Sequence, residues 1–274
     1  MKFGDFELKT FVESRLRFDG GFMFGVVPKK IWNNFAPADE NNLISAGINF
    51  FVLRAHGVNI ALDAGIGDTL TEAEMSVYSA TDIDIPGGLK SIGLTEDDID
   101  LVVLTHMHTD HMGGAVTEED GQLVPRFKNA KVYASKKEFV AATYPNSRTA
   151  PIYKPERVQA LQDAGVLELI EGNEEILPGI TCHFAGGHSE GLFGVEMESG
   201  GEKYAFYSDL IPMRYHLPLP YIAAADIHPM TTLEYKEKLL PRMMLEETTM
   251  MFVHDLETPF AKVEHDGKHF RAKK

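Results

Sequence analysis

Residues 104–114 read LTHMHTDHMGG, directly behind the apolar run IDLVVL. Within six residues the chain presents His106, His108, Asp110 and His111. Side chains of these types can titrate near neutrality, hydrogen-bond or bind a transition metal. The spacing favours metal. Residues two apart in an extended segment share a side, so His106 and His108 can reach one ion. Asp110 and His111 fall where the chain should bend into Gly113-Gly114, and they can address a second ion beside the first. In a chain with 11 histidines, H-x-H-x-D-H would assemble by chance on the order of once in a thousand sequences. Imidazole-rich sets lean towards zinc, with iron, manganese and cobalt also suited to imidazole plus carboxylate. Binding of cations would also repay the cost of crowding four polar groups against a hydrophobic core.

Further ligands are expected at other strand ends, where α/β sheets commonly place their sites. His188 follows Gly186-Gly187 behind the strand candidate GITCHFA, Asp209 ends KYAFYSD, and His254 follows TMMFV. The two oxygens of Asp209 could bridge a pair of ions.

The elements that must position these groups are legible from period and punctuation. Residues 47–63 read as a hairpin turning at HGV. Residues 91–104 read as a short helix and a strand, with Thr95 as N-cap and Asp98 three residues on. AKVYAS is a strand, KKEFVAATY a helix, and ERVQALQDAG a helix ended by Gly165. In the second half LELI, GITCHFA, LFGVEME and KYAFYSD are strands, with Gly200-Gly201 turning the last pair. TTLEYKEKLLPRMMLEE should form a helix opened by a Thr231–Glu234 capping box and kinked or split at Pro241. TMMFVHD is a strand, and the tail should fold back over Asp266-Gly267. Two halves of strands followed by helices predict an α/β protein with two sheets packed face to face and helices outside. We expect a single domain over 1–274.

Composition narrows the function. With 274 residues, 44% hydrophobic and 24% charged, the chain can bury a large core. A formal net charge of −15 repels phosphate backbones and disfavours nucleic acid as a partner. No apolar run approaches the ~20 residues of a membrane span, and MKFGDFELKT has no apolar signal core. A soluble, cytoplasmic protein without a membrane partner is expected. The single cysteine, Cys182, rules out an intrachain disulfide and reads as a small buried residue of ITCHF.

THMHTDH, GGH, SD and VHD, in this order, resemble the signature of the metallo-β-lactamase superfamily, and the likeness runs along nearly the whole chain. It implies an αββα sandwich of two mixed sheets with outer helices. It also implies one divalent metal on His106, His108 and His188, a second on Asp110, His111 and His254, and Asp209 bridging them. Asp63, in LDAGIG, matches the family's acidic residue after the first hairpin, whose role is to orient a ligand imidazole. Two departures stand out: GHSEGL replaces the frequent G-H-T-P-G-H, and Ser208 replaces the usual Gly before the bridging Asp. Neither removes a ligand.

Two metals sharing a water would make a hydroxide that attacks a carbonyl or phosphoryl centre, with Asp110 returning a proton to the leaving group. FGVVPKKIW, PADENN and DLIPMRYHLPLP resemble the branch holding quorum-quenching N-acyl-homoserine lactonases and methyl-parathion-hydrolase-type enzymes. That resemblance implies a small-molecule substrate, a lactone first, then an aryl ester or organophosphate. Iron-dependent thiol or persulfide oxidation and a non-catalytic zinc protein are the other classes on this fold. Some lactonases carry a substrate-polarising Tyr three residues after the bridging Asp; here that place is Pro212. Tyr215 and His216 lie slightly further on and are the expected substitutes. Phe22, Met23, Phe24 and Trp32 could wall an acyl pocket or belong to the core, and residues 115–160, with Tyr144 and Tyr153, form another wall. A homodimer is compatible with all of this.

Overall fold

The computed structural model describes residues 1–273. One seven-stranded sheet runs, in spatial order, Lys2–Phe3, Phe6–Asp19, Leu43–Ala55, Val58–Leu62, Leu101–Val103, Lys131–Ser135 and Leu167–Ile170. The other runs Glu174–Leu177, Ile180–Phe184, Phe193–Ser199, Glu202–Phe206, Thr249–Met251, Phe260–His265 and Phe270–Ala272. Both are mixed. Leu101–Val103 is parallel to both its neighbours, and Glu202–Phe206 is parallel to Thr249–Met251.

Period-two alternation sorts the side chains into layers. Leu62 and Val103 point inwards to meet Cys182, Val195, Phe206 and Met251 of the facing sheet. Phe51 and Phe206 meet edge to face at 5.4 Å across that core, and each buried ring of this kind contributes ~2–3 kcal/mol. Ala61, Val102 and Leu104 point the other way, under the helices Ile85–Ser91, Lys136–Thr143 and Pro155–Asp163. Ala205 and Met250 lie under the helix Pro229–Leu245. This is the αββα arrangement that the sequence implied. Strands buried on both faces explain why VVL and MMFV read as unbroken apolar runs.

Four elements differ from expectation. The fourteen-residue strand Phe6–Asp19 had no clean alternation because its register shifts between Val12 and Ser14, which puts the two halves of the pattern out of phase. The helices Glu72–Tyr78 and Ile85–Ser91 are too short to show a helical period. The last long helix begins two residues before the expected capping box, with Pro229 in its first turn, and it runs through Pro241 unbroken. Leu239, Leu240 and Met243 are buried on both sides of Pro241, and that packing outweighs its lost hydrogen bond. Among the described residues no helix is long and apolar enough to cross a membrane.

Candidate metal centre

The central parallel strand delivers Leu104, Thr105 and His106 at its carboxyl end, and Thr109–Met112 then makes one helical turn. That turn rests on the loop after Val58–Leu62: Ala64 N donates to His111 O at 2.7 Å and Gly114 N to Gly65 O at 3.0 Å. A Cβ on Gly113 would stand 2.1 Å from Ile66 O, and one on Gly114 2.1 Å from Ala64 O. Only glycine permits this approach, which is the physical content of the Gly-Gly after the histidines. In the facing sheet the parallel pair Glu202–Phe206 and Thr249–Met251 delivers Asp209 and His254 at its own carboxyl ends.

The seven expected ligands come together. His106, His108 and His188 form one group, and Asp110, His111, Asp209 and His254 another; within each group the ligand atoms lie within 4.8 Å of one another. Asp209 stands between them. One oxygen lies 3.4 Å from His188 Nε2, and the other lies 3.4 Å from His111 Nε2 and 3.1 Å from His254 Nε2. Asp110 Oδ2 is 3.6 Å from both His111 Nε2 and His254 Nε2.

The hydrogen bonds behind the rings set the direction of the lone pairs. His111 Nδ1 donates to Asp63 Oδ2 and His188 Nδ1 to Asp226 Oδ1, each at 2.9 Å. His254 Nδ1 donates to Gly47 O at 2.9 Å, and His106 Nδ1 to Thr105 Oγ1 at 3.1 Å. In its neutral form each of these rings therefore turns an Nε2 lone pair to the centre. His108 is reversed, with Nδ1 3.1 Å from His188 Nε2. The Nε2 atoms of His106, His111 and His254, with Asp209 Oδ1, are buried and have no hydrogen-bond partner. Lone pairs converging beside buried carboxylates call for positive charge, which a metal ion supplies. The separations of 3.1–3.6 Å match neighbouring ligands on an ion bound at ~2.0–2.2 Å. Burial first, then the neighbouring imidazoles, hold His106 and His108 well below the usual histidine range, in the neutral form that metals bind. The donor set fits divalent transition metals.

Asp63 lies near His106 and His111 as well, but both its oxygens are occupied. They accept from Thr105 N and Oγ1, His111 Nδ1 and Ser208 Oγ, at 2.7–2.9 Å. Asp63 thus holds the His111 ring, Thr105 and Ser208 in place. The Ser208 bond also explains the departure from glycine there. Ser208 has φ 45°, a left-handed conformation that costs a non-glycine residue ~1–2 kcal/mol, and the bond to Asp63 offsets that cost. Ser208→Ala, which keeps the strain and loses the bond, should therefore melt below Ser208→Gly; calorimetry checks the order.

Several positioning groups gave no sequence signal. Glu138, buried at 0% exposure, accepts from Met107 N, Tyr153 Oη, Ser189 Oγ and Gly191 N. It ties the loop of His108 to that of His188, and Ser189 in GHSEGL is shaped for it. Asp226 sits in the featureless loop AAADIHP and also accepts from Thr232 Oγ1.

The centre opens on a cavity of about 280 Å³ lined by His108, Asp110, His188, Asp209 and His254, with Phe18, Phe22, Met23, Ile152 and Tyr78 among its walls. Phe24 and Trp32 stack on each other in the core. A larger cavity of about 610 Å³ borders this one through Thr149 and Ile227 and includes Tyr144 and Tyr153. Tyr215 and His216 do not line the metal cavity. Arg214 donates to Tyr215 Oη, and Tyr215 faces a neighbouring hollow lined by Phe35 and Met213 that meets the metal cavity at His254. His216 Nε2 donates to Met23 O at 2.8 Å, its ring stacks on Phe24, and burial pushes its pKa down to about 4. Burial also pushes the Cys182 thiol up to about 12, as suits a core residue.

A family model described as the metallo-beta-lactamase superfamily matches residues 46–254, from the first hairpin to the last ligand. The chain belongs to the metallo-beta-lactamase superfamily. Within that superfamily it is 23% identical over 201 residues to the N-acyl homoserine lactonase AiiB of Agrobacterium fabrum, covering 66% of this chain and 67% of that protein. Lactonases of Bacillus thuringiensis match at 24% identity over 62% of this chain and 61% of their own length. A probable metal-dependent hydrolase from Staphylococcus aureus superposes with a TM-score of 0.90 at 30% identity, over 100% of this chain and 99% of that one. AidC, a dizinc quorum-quenching lactonase, superposes with a TM-score of 0.80 at 20% identity, over 100% and 95%. These relatives and the intact donor set place the chain among the superfamily's metal-dependent hydrolases.

Proposed function

We propose that the protein uses two divalent metal ions, zinc first, to open lactones, with N-acyl homoserine lactones the favoured class. The observation that carries this reading is the convergence of five imidazoles and two carboxylates beside a cavity whose other walls are mostly apolar. His106, His108 and His188 would hold one ion, Asp110, His111 and His254 the other, and Asp209 both. Bound there, such ions supply Lewis acidity, which polarises an ester carbonyl and acidifies water.

The rest of the work falls to the chain. Asp63, Asp226 and the Gly47 carbonyl hold the imidazoles in register. Phe18, Phe22, Met23 and Ile152 exclude bulk water and seat the apolar part of the substrate. Asp110 presents a carboxylate on the cavity wall that can return a proton to the departing alkoxide oxygen. The neighbouring 610 Å³ cavity, with Val140, Ala141 and Tyr144 in its wall, gives room for a long acyl tail. The names of the lactonase relatives and the dizinc neighbour support the substrate class and the metal.

The test is proton release when a long-chain N-acyl homoserine lactone is added to metal-loaded protein in a pH-stat, with chelator-stripped protein as control. Metal-dependent acid release is expected. Silence towards lactones alongside turnover of aryl esters or phosphotriesters would move the substrate assignment.

A further inference from the structure

We propose that Tyr78 is a catalytic residue of this centre: its phenol donates a hydrogen bond to the substrate oxygen on which negative charge gathers when the ester carbonyl is attacked. This rests on the hydrolytic reading above and adds a group to it from an element outside the ligand motifs.

Tyr78 ends the helix Glu72–Tyr78 and lines the same cavity as His108, Asp110, Asp209 and His254. The helix is fastened to the metal motif. Glu74 caps it through a reciprocal pair with Thr71 and accepts from Thr109 Oγ1, between His108 and Asp110, at 3.3 Å. Arg157 Nη1 donates to Glu74 at 3.0 Å and to Thr109 Oγ1 at 3.3 Å, closing the link. Glu74 and Tyr78 are four residues apart and share a helix face, so the bond that ties Glu74 to the motif also aims Tyr78 at it. The Tyr78 ring packs edge to face on Phe18, which in turn packs edge to face on His254.

The side chain is 9% exposed, and its hydroxyl, which makes no hydrogen bond among the described residues, is open to the cavity. A buried tyrosine normally finds a partner for its hydroxyl. Thr149, the other hydroxyl on this cavity, accepts from Asn146 N and sits with Ile227 on the border with the larger cavity, and Arg148 donates to Ala224 O. Tyr215 and His216 are engaged elsewhere. Tyr78 is thus the aromatic hydroxyl on the cavity wall, with its donor free among the described residues. The O–H keeps its proton throughout: the carbonyl π pair moves onto oxygen, the hydrogen bond shortens, and it relaxes when the carbonyl re-forms and the alkoxide leaves.

Tyr78→Phe keeps the ring on Phe18 and removes only the hydroxyl. With the zinc-loaded protein we expect unchanged metal content and melting temperature, a kcat about 100-fold lower, and a KM within about twofold. The second readout is binding of a methyl phosphonate monoester, a tetrahedral anion resembling the attacked carbonyl, by calorimetry. Its affinity should fall at least about tenfold in Tyr78→Phe, whether or not a turned-over substrate has been found. Equal kcat, or equal phosphonate affinity in the two proteins, would overturn the role of Tyr78 and leave hydrolysis standing. A phosphonate difference in a protein inert towards lactones, esters and phosphotriesters would keep Tyr78 as donor and count against hydrolysis.

Discussion

An Asp209→Ala variant is expected to lose both metal and turnover. Asp209 stands between the two ligand groups, with one oxygen 3.4 Å from His188 Nε2 and the other 3.1 Å from His254 Nε2. On the dinuclear reading its removal would delete a ligand from each ion at once and leave Asp110 as the one carboxylate among the candidate ligands. Loss of an outer orienting partner typically costs ~10–100-fold in metal affinity, and loss of a shared ligand should exceed that. Metal content by plasma emission spectroscopy should fall from two equivalents per chain to one or fewer, with activity at the level of the chelated protein. Full activity and two retained ions would show that Asp209 bridges nothing.

Asp63→Ala should be nearly as severe by a different route. Asp63 touches no metal-facing lone pair, but it accepts four hydrogen-bond donors: Thr105 N, Thr105 Oγ1, His111 Nδ1 and Ser208 Oγ. Truncation frees the His111 ring to turn, releases Thr105 from its hold on His106, and strands buried donors that each cost ~1–3 kcal/mol. Metal affinity should drop by up to ~100-fold and the melting temperature should fall even with metal present. Asp63→Asn, which keeps one acceptor oxygen and the volume, should retain part of both. An alanine variant with native affinity and melting behaviour would make Asp63 an ordinary turn residue.

The candidate ligands are legible in the sequence because metal chemistry restricts residue type and strand geometry restricts spacing. His106, His108, Asp110 and His111 announce themselves within six residues, and His188, Asp209 and His254 each sit where an apolar strand stops. The sandwich followed from the same strands. What was not readable are contacts between segments far apart in the chain. Asp226 bonds a histidine 38 residues away, and nothing in AAADIHP distinguishes it from a solvated loop acid. Glu138 reads as a surface residue of KKEFVAATY until the loops of Met107 and Ser189 close over it. Tyr215 and His216 were placed near the site by proximity to Asp209 in sequence, but the turn Arg214–His216 carries Tyr215 towards Arg214 and His216 towards Met23. Tyr78 was missed for the converse reason: a seven-residue helix has too few turns to reveal which face it buries.

A zinc titration of the chelator-stripped protein, followed by lactone ring opening, tests the dinuclear centre most directly. Activity should be absent in the stripped protein and rise to a plateau at two equivalents of zinc per chain. A plateau at one equivalent, or ring opening that persists without metal, would contradict a centre built from both ligand groups.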